Sequence, residues 1–286
     1  MQRLIRILVV LLLLSRVASA NYVAFFFEND FLGGDTDQWY TDGWRFTYGV
    51  DNVGAFFISQ NMYTPADISE PIIEPVEGDR RYVGWLNLGY SCWWNELGPG
   101  KLYTEASIGL TGPSALGEDI QRGIHDIFGH QDPKGWDTQT ADRLAVQTYA
   151  KYQLTIVNPG REWAGAEAWI GASAGNVQVA PEVALIAKFG RGIESPISVD
   201  NISVKSVKNS LYAYAGAIMR WQVYDYPIEV SDGVQLKNNN LDNVFGVTWE
   251  TTSGFDVNYQ LTIRTTQYIP QPASHKFGSI SLRYRF

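Results

Sequence analysis

Residues able to do chemistry occur at three places in this chain. Asn29 and Asp30 close an apolar run that begins with three phenylalanines, Thr41 follows eleven residues after Asp30, and Gln121 and His125 stand four apart. A histidine can act as a general base near neutral pH. Amide donors, or a cation held by a carboxylate, can stabilise a developing oxyanion. This set of residue types predicts ester hydrolysis.

The elements that must position these residues are predicted to be β-strands. The last eleven residues, KFGSISLRYRF, alternate apolar side chains with serines and arginines, and the same period of two recurs over 257–267 and 84–94. Charge on one face and apolar groups on the other fit a strand with lipid outside and a polar lumen inside. A soluble all-β domain is the alternative, but the long strands and the aromatic residues at strand ends favour a membrane barrel.

The predicted fold is therefore all-β: a single 12-stranded antiparallel transmembrane β-barrel of the outer-membrane type, with a short helix in a long extracellular loop. An even strand number keeps both termini on the periplasmic side. The connection 191–208 is unexpectedly long for a periplasmic turn. The twelve predicted strands are 22–29, 42–50, 55–63, 82–94, 100–111, 143–156, 162–174, 178–190, 209–224, 241–252, 255–267 and 276–286.

The first twenty residues have the pattern of a cleaved secretory signal. Two arginines precede an apolar run from Ile7 to Leu14, and Ala-Ser-Ala follows at 18–20. The run is too short to span a bilayer as a helix. We therefore expect a signal peptide over 1–20 and one barrel domain over 21–286.

Charge and cysteine content exclude several partners. The formal net charge of −8 becomes about −11 once the three arginines of 1–20 are removed, and no basic run occurs. A nucleic-acid partner is therefore not expected, whereas a lipid whose phosphates are bridged by a divalent cation is allowed. With Cys92 as the single cysteine, no internal disulfide can form.

Strand direction predicts where the polar residues meet. The first strand runs outward and ends at Asn29 and Asp30, and the second starts at that outer end with Thr41. The long loop 112–142 reaches the same rim, and within it SALGEDIQRGIHDIFG predicts a helix. In that helix Ser114 is the expected N-cap, Glu118 suits the first turn, and Gln121 and His125 share one face. The expected apolar stripe consists of Leu116, Ile120, Ile124 and Ile127.

Together these motifs resemble a known family. FEND on strand 1, YTDG on strand 2, QRGIH on the loop helix and the following PKGWDTQ are similar in order and spacing to the LpxR family of outer-membrane lipid A 3'-O-deacylases. The resemblance covers the whole mature chain. It implies calcium-dependent removal of the acyl group at the 3' position of lipid A in the outer leaflet of the bacterial outer membrane. It assigns Asn29, Asp30, Thr41, Gln121 and His125 to the catalytic site, with Asp30 and Asn29 as metal ligands.

The sequence also departs from the family. The family commonly has Asn where Asp42 stands, and some members carry a lysine in the outer loop after strand 3, where this chain has only Arg80 and Arg81 as basic residues. The expected partners are lipid A within lipopolysaccharide, the outer membrane, and the barrel assembly machinery through the C-terminal Phe286.

Two other functions remain open at this stage. A barrel lipase with a serine nucleophile is one, although the serine nearest to a histidine is Ser274, beside His275 in a predicted loop. A passive pore is the other, since twelve strands leave room for a lumen. For the deacylase, regular alternation points Asn29 and Asp30 to opposite faces. A bulge or strand end near Asn29 would relieve this conflict. We therefore predict irregular pairing at 28–31 and a five-residue cluster within a sphere of roughly 10 Å.

Overall fold

The computed structural model describes residues 22–34, 38–50, 53–68, 74–129, 132–157, 163–193 and 209–286. Within these ranges twelve long antiparallel strands close into a barrel, because the first strand pairs with both the second and the last. The twelve-stranded prediction is confirmed. The strands are β1 (Tyr22–Asn29), β2 (Trp39–Val50), β3 (Gly54–Thr64), β4 (Val83–Leu97), β5 (Gly100–Thr111), β6 (Arg143–Val157), β7 (Ala164–Gly175), β8 (Gln178–Arg191), β9 (Ser210–Trp221), β10 (Asn239–Glu250), β11 (Phe255–Arg264) and β12 (His275–Arg285).

In the described part of the chain, three α-helices lie at the outer end of the barrel: α1 (Phe31–Gly34), α2 (Gly117–Phe128) and α3 (Tyr226–Glu229). Two 3-10 helices, Pro113–Ala115 and Trp136–Thr138, flank α2. Among the described residues no helix is both long and apolar enough to cross a bilayer. The expected signal peptide over 1–20 lies outside the described residues, as does most of the long connection 191–208.

The two faces of the wall differ as period-two alternation predicts. Large apolar side chains such as Phe56, Leu88 and Ile108 are exposed on the outside, where lipid replaces water. The lumen is crossed by ion pairs. Asp242 accepts hydrogen bonds from Arg220 and, at 2.8 Å, from Arg264 Nε.

Loops close the outer mouth of the lumen. Trp39, Ile228 and Tyr268 come from three different loops or strand ends and form a buried apolar cluster over it. Arg80 is fully buried there and donates to Gln267 Oε1 at 3.2 Å. Arg81 pairs with Asp232 in another loop. Both arginines thus have partners in the mouth, a closed arrangement that argues against a passive pore.

Helix α2 packs on the outside of the wall instead of over the mouth. The Gly112 amide donates to the Gly84 carbonyl at 3.0 Å and so extends the β4–β5 pairing into the loop. Gln60 Nε2 then donates to the Ala115 carbonyl. These bonds bring the start of the helix down onto β3 and β4.

The buried face of helix α2 is not the apolar stripe expected from the sequence. Leu116 is 51% and Ile127 is 77% exposed, whereas Gly117, Gln121 and His125 are buried. The stripe prediction was therefore wrong at both ends of the helix. The physical reason is location: outside a membrane barrel, an isoleucine facing away from the protein meets lipid or its interface rather than bulk water.

The predicted helix cap was also wrong. The helix starts at Gly117 after Leu116, which has left-handed φ, and Ser114 is not the cap. Ser114 instead ties the loop to the start of β6, its hydroxyl and amide donating to Asp142 at 2.6 and 2.8 Å. Those two bonds lower the pKa of the exposed Asp142 carboxyl. Glu118 does lie in the first turn, as expected.

Candidate functional site

A row of paired residues runs across the outer face of the wall toward helix α2. Asn29 of β1 pairs with Asp42, Asp42 with Met62, and Met62 with Gly84. Cross-strand partners share a face, and Asn29 shares its face with the lipid-facing Phe25 by alternation. Asn29 and Asp42 are nevertheless buried. The row therefore places polar groups on the lipid side of the barrel.

Thr41 joins this row through a β-bulge. The register between β2 and β3 shifts between Tyr40 and Asp42, which leaves Thr41 as the extra residue. Its hydroxyl lies 2.7 Å from that of Thr64, and Thr64 alternates onto the face of Met62. A bulge changes the direction of side chains in this way, so the side chains of Thr41 and Asp42 both lie on the outer face.

Asp30 lies just beyond the end of β1. Pairing is regular through Asn29 on both sides, so the irregular pairing predicted at 28–31 was wrong. The strand ends there instead, and the bulge lies at Thr41, where the register between β2 and β3 shifts. Asp30 Oδ2 accepts the Gln38 amide at 2.6 Å, and the Asp30 amide donates to the Thr41 carbonyl at 3.3 Å. The carboxylate is thereby fixed at the rim and is 1% exposed.

Helix α2 brings the other two predicted residues to the wall. Gly117 lies so close to Gly84 and the Trp136 ring that a Cβ on Gly117 would meet both within 3.2 Å. Gln121 and His125 follow on this buried face, one and two turns later. The indole of Trp136 donates to Gln121 Oε1 at 2.8 Å, which fixes that amide. His125 is 6% exposed.

All five predicted site residues are thus buried at the outer rim and on one sector of the wall. The helix contacts β3 and β4, and the Asn29 end of the row is two or three strands away, about 10–14 Å at 4.8 Å per strand. His125 is therefore on the same side of the barrel as Asp30. Their assigned roles stay predictions.

The donors at the rim fit a hard cation in chemistry. Asp30 and Asp42 supply carboxylates on adjacent strand ends, and Asn29 supplies an amide oxygen, which already accepts the Phe31 amide at 2.9 Å. Such oxygen ligands are those that calcium prefers. Among the described residues no group of three acidic, histidine or cysteine side chains surrounds one point. Carbonyl or lipid oxygens would therefore have to complete a calcium shell.

Sequence reasoning missed three residues at this site. Asp42 was noted only as a departure from a family pattern, yet it faces Asn29 directly. Trp136 holds Gln121, and its signal was the PKGWDTQ motif. His275 was expected in a loop but is the first residue of β12, and its Nε2 lies 3.9 Å from Asp30 Oδ2. Only strand register could have revealed it.

Comparison with known proteins agrees with this architecture. No curated protein matches the chain. The family model for the outer membrane protein LpxR matches residues 5–286. The chain belongs to the LpxR family. Among solved structures, LpxR from Salmonella typhimurium matches with a TM-score of 0.81 over 93% of this chain and 100% of that one, at 18% identity. The beta domain of the Bordetella autotransporter BrkA matches with a TM-score of 0.45, 14% identity and 94% and 100% coverage.

Membership in the LpxR family makes this chain an outer-membrane β-barrel of the lipid A-modifying type, located in the bacterial outer membrane. The alternative of a serine lipase would need Ser274 and His275 to act as nucleophile and base. Ser274 is exposed, whereas His275 is buried and neither of its ring nitrogens has a hydrogen-bond partner among the described residues. The two side chains therefore form no nucleophile–base pair.

Proposed function

We propose that this LpxR-family barrel hydrolyses the 3'-position acyl ester of lipid A in the outer leaflet, with His125 as general base. One observation carries the proposal: helix α2 buries its glycine, glutamine and histidine face against the lipid side of the wall while Ile127 is exposed. A helix that only anchored a loop would bury its apolar residues.

The position of the site suits a lipid substrate. The row from Asn29 to Gly84 lies on the lipid side of the wall, so a lipid substrate would approach it laterally without leaving its leaflet. Lipid A carries its acyl esters near the membrane surface, at the level of the outer strand ends. Only the ester must be drawn between helix α2 and the rim.

His125 is proposed to take a proton from the attacking water as the oxygen bonds to the ester carbonyl carbon. When the acyl–oxygen bond breaks, the same proton passes to the sugar oxygen that leaves. Trp136 donates to the Gln121 side-chain oxygen, so the role proposed for Gln121 is that of a hydrogen-bond donor through its NH₂ group. That amide can hydrogen-bond the oxyanion.

Calcium is proposed to bind at the rim through Asp30, with Asn29 and Asp42 as further oxygen donors. When bound, the ion would polarise the ester carbonyl and offset the oxyanion charge. Chelation should abolish activity and calcium should restore it, with magnesium a poor substitute because it demands a stricter octahedral shell. An unchanged rate in chelator would remove the metal from the mechanism.

Mass spectrometry of lipid A from cells expressing the protein is the direct test. The expected product has lost only the 3' acyl chain. Release of phospholipid fatty acids with intact lipid A would instead indicate a phospholipase. If neither product forms, the result would favour a structural barrel.

The base assignment is tested by His125→Asn, with Asp126→Asn as the matched control. Asp126 is the exposed neighbour on the same helix. His125→Asn should lower the rate about 100-fold or more, while both variants keep the heat-modifiable mobility of a folded barrel. Equal activities in the two folded variants would contradict the assignment.

A further inference from the structure

A second histidine lies behind the proposed metal ligand. His275 begins β12 and pairs with Arg264, which lines the interior cavity, so His275 belongs to the lumen side of the wall. It is 1% exposed. Its imidazole packs edge-on against Trp39 and at a tilt against Phe277, with ring centres 5.5 and 5.4 Å apart. These rings hold the imidazole in one place.

In the part of the chain that the structure describes, Asp30 is the acidic side chain that lies within 4.0 Å of this imidazole. Among the described residues, neither ring nitrogen of His275 has a hydrogen-bond partner, although a buried ring N–H ordinarily has one. Nε2 points at Asp30 Oδ2 from 3.9 Å, about 1 Å beyond hydrogen-bond distance. Oδ2 is also the atom that accepts the Gln38 amide. Two groups therefore converge on one oxygen of this carboxylate.

We propose that His275 is a positioning residue for Asp30. With a cation bound at the rim, its Nε2–H would donate to Oδ2, which would leave the other oxygen of Asp30 to face the ion. The inference rests on the proposed function, in which Asp30 is a calcium ligand. His275 cannot itself touch substrate, because it is buried on the lumen side, whereas Asn29 and Asp42 face the lipid.

Groups that orient a ligating carboxylate typically change metal affinity about 10-fold to 100-fold when they are removed. His275→Phe keeps the ring that packs on Trp39 and removes the donor. His275→Gln retains an N–H near the Nε2 position. Calcium affinity of the full-length protein in detergent, measured by titration calorimetry, should fall about 10-fold to 100-fold in the Phe variant and recover in the Gln variant.

The same pair of variants separates positioning from simple packing. In the deacylation assay the Phe variant should need more calcium for half-maximal rate but regain most of its rate at saturating calcium. Packing damage would lower the rate at every calcium concentration, and glutamine would not rescue it. Wild-type affinity in the Phe variant, or no rescue by glutamine, would overturn the proposal.

If the proposed function is wrong, the calcium-binding and unfolding measurements still test the role of His275. If the wild type binds calcium without deacylating lipid A, the calorimetric comparison still decides the role of His275. If the wild type binds no calcium, thermal unfolding of His275→Phe, Asp30→Asn and the double variant decides whether the two residues interact. Non-additive shifts support the contact, and additive shifts overturn it.

Discussion

The barrel wall has polar residues on both of its faces, and the two sets are held differently. In the lumen, charged groups neutralise one another: Asp242 lies between Arg220 and Arg264, and Lys188 lies 2.6 Å from Glu167. On the lipid face, Asn29 and Asp42 are buried, at 5% and 1% exposed. Polar groups in a barrel lumen are ordinary. Polar groups sheltered on the lipid face require another explanation, and a reaction site supplies one.

The comparison predicts that lumen changes act on stability and lipid-face changes on activity. The largest effect is expected for Asp242→Asn, which leaves two arginine side chains without their shared carboxylate. Breaking a buried ion pair costs about 3–5 kcal/mol. The free energy of unfolding, measured with urea in detergent or lipid vesicles, should fall by that amount, while lipid A conversion per folded molecule stays near wild type. A large loss of conversion in the folded fraction would show that the two faces are coupled.

Next in size is Gly84→Val on the lipid face. A Cβ at Gly84 would already meet the Ala115 Cβ at 3.2 Å and the Gly117 amide at 3.3 Å, so valine should push helix α2 away from the wall. A displacement of about 1 Å can cost about 100-fold in rate. Lipid A conversion should fall by that order, with little change in unfolding. Retained activity would show that the helix need not lie against β4.

A smaller effect is expected for Trp136→Phe. It removes the indole N–H that holds Gln121 but keeps an aromatic ring in the buried cluster with Met62 and Tyr82. Losing a hydrogen bond of about 1 kcal/mol should lower the rate of deacylation roughly fivefold. The measurement is the initial rate on purified lipid A at saturating calcium. No change would mean that Gln121 is positioned by other contacts.

The smallest effect is expected for Arg122→Gln. Arg122 pairs with Glu118 at 2.8 Å on the exposed side of helix α2, where the side chains are half and one-third exposed. Such surface pairs contribute about 0–1 kcal/mol. Both unfolding and rate should stay close to wild type. A strong loss of activity would place substrate contacts on that face of the helix.

Much of the fold could be predicted because alternation is a local property. The terminal strand was predicted from the alternation of serines and arginines with apolar residues. Strand β5 was predicted at its observed bounds, Gly100–Thr111. Strand ends beside loops were less certain. The predicted strand 209–224 ends at Trp221, because Tyr224 pairs separately with β8. Alternation does not show where a strand leaves the wall.

The sequence by itself determined the barrel class, the strand number, the existence of helix α2 and the shared helical face of Gln121 and His125. These follow from residue periodicity, which depends only on neighbours along the chain. The tertiary structure alone decided which face of that helix is buried, because the apolar side of a helix outside a barrel can turn toward lipid. It also decided the bulge at Thr41 and the approach of His275 to Asp30. Both depend on the register between strands distant in the sequence, and that register is set only when the barrel closes.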